Sequence, residues 1–132
     1  VADGLILETT FLVDLDRELG EGEPGPAHAF LDTRSAEPLF LTFTVAGELA
    51  AGPGLAERAQ WERLIGPFQV LSATPDVCWE YGRAFRYLKT NGLLIGANDL
   101  WIAATALAFG KAVVTRNTRE FQRVPGLEVL GY

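Results

Sequence analysis

Four acids and one amide are spaced along the chain where they could meet: Glu8, Glu48, Asp99, Asn117 and Glu120. Glu8 closes a short apolar run, Gly4-Leu5-Ile6-Leu7, and Glu48 lies in the segment that follows a second such run. Asp99 opens the apolar stretch Leu100-Trp101-Ile102-Ala103-Ala104 and is the only acid between Glu80 and Glu120. Asn117 and Glu120 follow a third apolar run, Ala112-Val113-Val114-Thr115. A half-buried acid costs free energy unless it is hydrogen-bonded, paired or bound to a cation. Several carboxylates share one site only when cations neutralise them or some stay protonated. Oxygen ligands without clustered Cys or His suit Mg²⁺ or Mn²⁺. The matching chemistry is phosphodiester hydrolysis, in which a metal lowers the pKa of a bound water and stabilises the attacking and leaving oxygens.

Taken singly, each of these residues has a plainer reading. Glu8 reads as a strand-end acid near a helix N-terminus, and Glu48 as an acid on a solvated helix face. Asp99 reads as a helix-capping residue beside Asn98, Asn117 as a turn residue and Glu120 as a surface acid. Asp14, further along the first helix than Glu8, reads as a surface acid rather than a substitute ligand.

The elements that must position them alternate. Apolar runs at Gly4–Leu7, Leu39–Leu41, Phe68–Leu71, Ala112–Thr115 and Leu127–Leu130 predict strands buried on both faces. Thr9 and Thr10 are candidate N-caps for a helix from Phe11 to about Leu19, stopped by Gly20. Further helices are predicted from about Ala27 to Ser35, from Thr42–Thr44 to Ala51, and from Leu55 to about Ile65. The longest opens at Thr74-Pro75-Asp76 and ends at Asn91-Gly92; it carries an apolar stripe of Val77, Tyr81, Phe85 and Leu88. A helix from Asn98 to about Phe109 and a short one around Arg119-Glu120-Phe121 complete the set. Strands alternating with helices on short connections predict an α/β domain with a mostly parallel sheet. Sites in such sheets form beyond the carboxyl ends of the strands.

The 132 residues read as a single domain over 1–132, and no apolar run approaches the length of a membrane span. The start has no basic region ahead of its apolar run, so no signal peptide is expected. The single Cys78 fits a reducing cytoplasm and is expected to be buried in its helix; the single His28, in a polar linker region, suggests neither triad nor zinc site. A net charge of −6 argues against broad adhesion to nucleic acid, but an acidic apo chain is what a metal-loaded nuclease site would give.

The chain resembles the PIN-domain proteins of the VapC toxin type over nearly its whole length. The resemblance rests on Leu5-Ile6-Leu7-Glu8-Thr9-Thr10-Phe11-Leu12-Val13-Asp14 and Thr42-Phe43-Thr44-Val45-Ala46-Gly47-Glu48-Leu49. It continues in Ile95-Gly96-Ala97-Asn98-Asp99-Leu100-Trp101-Ile102-Ala103-Ala104 and Val114-Thr115-Arg116-Asn117-Thr118-Arg119-Glu120-Phe121. It implies a three-layer α/β/α PIN-like fold with a central, mostly parallel five-stranded sheet, and a Mg²⁺- or Mn²⁺-dependent endoribonuclease toxin neutralised by an antitoxin. Catalysis would then rest on Glu8, Glu48, Asp99 and Asn117, metal on Glu8, Glu48, Asp99 and Glu120, and substrate contacts on Thr9, Thr115 and Arg116. Arg119 and a basic face at Arg83, Arg86 and Lys89 are further candidate phosphate contacts.

Glu8 departs from the family, which has Asp at that strand end. A glutamate moves the charge one methylene outward, and a displacement of about 1 Å in a positioned group costs roughly a hundredfold in rate. The second reading, of a different class, is therefore a weakened or inactive PIN-fold binding or assembly module. A third, a flavodoxin-like binding domain, lacks its Gly-rich phosphate loop: Glu8-Thr9-Thr10 stands there instead. The expected partners are an RNA substrate, a small antitoxin inserting an Arg among the acids, and a second copy through Trp61, Trp79 and Tyr81; no membrane is expected.

Overall fold

Leu5–Leu7 (β1) is buried on both faces, as the central strand of a parallel sheet must be. The computed structural model describes residues 3–52 and 57–132. Within them β1 is followed by α1 (Thr9–Glu21), α2 (Pro26–Thr33), β2 (Leu39–Thr42), α3 (Phe43–Ala50), α4 (Arg58–Ile65) and β3 (Gln69–Leu71). Then come α5 (Pro75–Thr90), α6 (Ala97–Phe109), β4 (Ala112–Val114), α7 (Thr118–Phe121) and β5 (Val129–Leu130). The sheet has five strands in the order β3-β2-β1-β4-β5. All four pairings are parallel, with Leu5 opposite Leu39 on one side and Ala112 on the other.

The strand order dictates the layers. From β1 the chain steps outward through β2 and β3, then returns by α5 and α6 to β4 on the other side of β1. Right-handed crossovers place the helices of the two halves on opposite faces, so the sheet is sandwiched between helical layers. The reversal of direction between β1 and β4 opens a crevice at their carboxyl ends, where an open α/β sheet takes its ligands. The core is built from β1, Leu41, Val113 and Val114 of the sheet, packed by Leu88 of α5 and Leu100, Ile102 and Ala103 of α6. Alanines at 103, 104 and 106 let α6 lie close to its neighbours. Among the described residues no helix is long and apolar enough to cross a membrane.

Several local expectations need correction. Helix α1 starts at Thr9 because Glu8, rather than a threonine, is its N-cap: the Glu8 carboxylate accepts from Thr10 N. Gly20 does not stop it. The stop comes at Gly22, which takes the left-handed conformation at φ 75°. The start expected at Leu55 lies outside the described residues, and α4 is described from Arg58. Cys78 is exposed rather than buried, because Val77, Ala84 and Leu88 form the inward face of α5 and the thiol points away from it. His28 lies within α2, not in a linker.

The junction of α1 and α2 rests on one buried acid. Both oxygens of Glu18, 3% exposed, accept from the first turn of α2: Gly25 N at 2.8 Å, Ala27 N at 2.9 Å and His28 N at 2.9 Å. These are donors a helix start otherwise leaves without partners. Burial alone would raise the Glu18 pKa, but the three N–H groups outweigh it and hold it below the ordinary value. Gly25 has no room for a side chain, since a Cβ there would sit 2.6 Å from Glu18 Cδ. Gly25→Ala and Glu18→Gln are both expected to lower the melting temperature at pH 7 by several degrees. A folded pKa below the unfolded one contributes stability that is present above about pH 4.5 and lost on further acidification. The Glu18→Gln deficit therefore shrinks below that pH in thermal melts.

Candidate functional site

Glu8 stands where β1 ends and α1 begins, and its backbone N–H is bonded to Val114 O of β4 at 3.0 Å. The residue is 4% exposed, and both its carboxylate oxygens accept hydrogen bonds from hydroxyls or backbone. Oε1 accepts from Thr10 Oγ1 at 2.8 Å and from Thr115 Oγ1 at 2.6 Å, while Oε2 accepts from Thr10 N at 3.1 Å. Two bonds fill the lone pairs of Oε1, which leaves Oε2 the open one. The extra methylene of glutamate is thus absorbed by turning the carboxylate back onto the start of its own helix and across to the end of β4.

Thr10 and Thr115 carry the network onward. Thr10 Oγ1 also accepts from Arg116 N at 3.1 Å, and Thr115 Oγ1 from Asn117 N at 2.9 Å. The turn after β4 is therefore tied at three successive residues to the acid at the end of β1. Glu48 arrives from the neighbouring unit. Thr42, ending β2, caps α3 by accepting from Val45 N at 3.1 Å, and one turn later Glu48 Oε1 accepts from Thr9 Oγ1 at 3.0 Å.

Asp99 is in the first turn of α6 and half-buried, and Glu120 is half-buried in α7. The Asp99 pKa is pushed up to about 6 by burial first, then by the charges of Glu8, Glu120 and Glu48, with a hydrogen bond to Glu120 adding to the effect. All four acids therefore lie within electrostatic reach of one another. Asn117 is the exposed N-cap of α7, its side chain making no capping bond.

The side chains of the other candidates are engaged outside the four acids. Arg116 turns its guanidinium to Asp14, with Nη1 donating to Oδ1 at 2.9 Å. Asp14 is not the surface acid expected: it is 6% exposed and also accepts from the Tyr132 hydroxyl at 2.5 Å. Burial and that bond push the Tyr132 pKa above the usual phenol value. Arg83 pairs with Glu80, Arg86 lies over Trp79 and Lys89 over Phe85, so that basic face is engaged within α5. Tyr81 stacks on Trp101 at 3.9 Å and Trp61 Nε1 donates to Ala46 O, leaving Trp79, 64% exposed, as the open aromatic of the three expected at a dimer contact. Asp14 and Tyr132 are invisible to pattern reading, because each is fixed by a residue more than a hundred positions away.

The residues suit a hard dication in kind. They are oxygen donors only, and the raised proton affinity of Asp99 reports a repulsion that positive charge would relieve. One turn before Glu48, on the same helix face, Thr44 Oγ1 is shut off from solvent without a hydrogen-bond partner. Among the described residues, no group of three or more acidic, His or Cys side chains is already closed around a metal position.

Two substitutions separate these roles. Asp99→Asn removes the repelled, half-buried charge and is expected to stabilise the metal-free chain at pH 7 by about 1 kcal/mol, no more because water screens the exposed side of the carboxyl. A raised folded pKa means that the charge penalty is absent at low pH and grows as pH rises from about 4 through about 6. The gain from Asp99→Asn in chemical denaturation should therefore appear over that window. Glu8→Asp shortens the reach to Thr10 and Thr115 and is expected to destabilise by about 1–3 kcal/mol in the same assay.

Residues 5–127 match the family described as PIN domain. Ribonuclease VapC1 of Haemophilus influenzae (strain R2866) is 40% identical over 67 residues, 51% of this chain and 50% of that protein. The chain thus spans about half the length of the curated VapC1 relatives it matches. VapC ribonuclease Y4jK of Sinorhizobium fredii is 33% identical over 138 aligned residues, 96% of this chain and 95% of that one. Among solved structures, VapBC-1 from nontypeable Haemophilus influenzae superimposes with a TM-score of 0.75 at 25% identity, covering 96% of each chain. On sequence and architecture together, the chain belongs to the PIN-domain family.

Proposed function

We propose that this chain is a metal-dependent endoribonuclease, the toxin of a VapBC-type pair, hydrolysing RNA phosphodiester bonds at the acid cluster. The observation that carries this reading is the convergence of Glu8, Glu48, Asp99 and Glu120 at the carboxyl ends of the central strands, where burial and mutual repulsion raise the Asp99 pKa to about 6. It is supported by the VapC ribonuclease names of the relatives and by the VapBC toxin–antitoxin complexes among the structural neighbours. PIN-domain VapC ribonucleases are generally divalent-metal dependent.

In this reading Glu8, Glu48, Asp99 and Glu120 are the residues that would hold Mg²⁺ or Mn²⁺. When bound, the ion supplies a water of lowered pKa and offsets charge at the attacked phosphate. The chain does the positioning. Thr10 and Thr115 hold Glu8 in one orientation, Thr9 holds Glu48 near the start of α1, and the exposed amide of Asn117, at the start of the helix that carries Glu120, would be free to meet substrate or water. Burial and the neighbouring carboxylates let Asp99 hold a proton up to about pH 6, so proton and cation would compete for this carboxylate and acidification would weaken cation binding. The antitoxin is a protein that presents an Arg to the acids, which a guanidinium meets bidentately. A homodimer in the cytoplasm, with Trp79 at its contact, completes the proposal.

Purified protein is expected to cleave single-stranded RNA with Mn²⁺ and to lose cleavage with excess chelator. Asp99→Asn and Glu48→Gln should each lower the rate by at least about a hundredfold. Cleavage that survives the chelator, or none with either metal, overturns the reading. Titration calorimetry with Mn²⁺ at pH 7 and pH 5 should show weaker binding at pH 5.

A further inference from the structure

Arg116 has its backbone bonded into the hydroxyl network around Glu8. Its N–H donates to Thr10 Oγ1, the same hydroxyl that donates to Glu8, so its Cα sits at the edge of the cluster. Its side chain nevertheless remains 62% exposed. Nη1 is held by Asp14, and among the described residues Nε and Nη2 have no protein partner. An exposed arginine normally samples many rotamers and loses that freedom on binding. This one is already tethered, to a carboxylate that is itself 6% exposed.

Asp14 is fixed in turn. It accepts from Tyr132 Oη, and the Tyr132 ring is clamped edge-on against Phe11 at 4.8 Å and Phe30 at 6.5 Å. Arg17 Nη2 stands 3.7 Å from the same Asp14 oxygen as Arg116, and Arg17 is shared with Glu21. Asp14 therefore has two cations and a phenol around it, more donors than a single structural ion pair would need. The chain of contacts runs from Tyr132 through Asp14 to Arg116, and through Thr10 to Glu8.

We infer that Asp14 and Tyr132 are positioning residues that aim the free edge of the Arg116 guanidinium at a phosphate of single-stranded RNA lying along the acid cluster. The inference rests on the ribonuclease reading. It gives an acidic site a fixed cation at its rim, where a polyanion would otherwise meet only carboxylates. A planar fork with one edge anchored and one edge open suits a phosphate oxygen pair.

The test is fluorescence anisotropy of labelled single-stranded RNA over a salt series, in an Asp99→Asn background that does not turn the RNA over. Arg116→Ala should weaken binding about tenfold and lower the slope of log Kd against log salt by about 0.7, the share of one phosphate contact on a single strand. Tyr132→Phe keeps the ring and removes only the hydroxyl; it should weaken binding about threefold with Arg116 present and not at all in the Arg116→Ala chain. Asp14→Asn should follow the same pattern wherever its melting temperature shows it folded. An unchanged salt slope in Arg116→Ala, equal weakening by Tyr132→Phe in both backgrounds, or no RNA binding by the Asp99→Asn chain overturns the inference. Metal-dependent cleavage by the unsubstituted chain is scored separately, so failure of the nuclease reading and failure of the Arg116 assignment remain distinct.

Discussion

The structure depends on burying one carboxylate. Glu8 ends the central strand with its side chain almost wholly out of water, and an uncompensated charge there would cost several kcal/mol. Its compensation comes from Thr10, which obliges the helix to begin at once, and from Thr115, which obliges the turn after β4 to close over the end of β1. The parallel pairing of Leu7 with Val114 delivers those hydroxyls in register. The crevice between β1 and β4 is thus a product of strand order, but its polar lining is fixed by the needs of Glu8.

Around that anchored acid the other three are held against their own repulsion. Nothing in the packing of α3, α6 or α7 requires Glu48, Asp99 and Glu120 to approach one another; the helices are placed by Val45, Leu100, Ile102 and Phe121 in the core, and the acids are carried along. The raised Asp99 pKa records what this arrangement costs. Such a concentration of like charge in a crevice is one that a partner of opposite sign would relieve.

The strands and most helices are legible in the sequence because each signal is local: an apolar run, a Thr-Pro helix start, a glycine after a helix. The positions of Glu48, Asp99, Asn117 and Glu120 relative to those elements are legible too, and the convergence of the acids follows from where parallel strands end. What sequence alone hides is long-range pairing. Asp14 looks solvated until Tyr132 and Arg116 are brought to it, and Glu8 looks like a misplaced charge until Thr115 arrives. Cys78 misleads for the opposite reason: its apolar neighbours in sequence lie on different faces of α5, and only Ala84 and the residues in line with it turn inward.

The two outer strands are unusually brief. β3 has three residues, Gln69 and Val70 among them exposed, and β5 has two, followed by Gly131. A flank of that length offers too few unpaired backbone groups to template another chain. Edge-to-edge sheet extension is therefore disfavoured at both described flanks. A partner then has more to gain from side chains on the helical layers or at the polar mouth between β1 and β4, where recognition is chemical rather than a matter of backbone pairing.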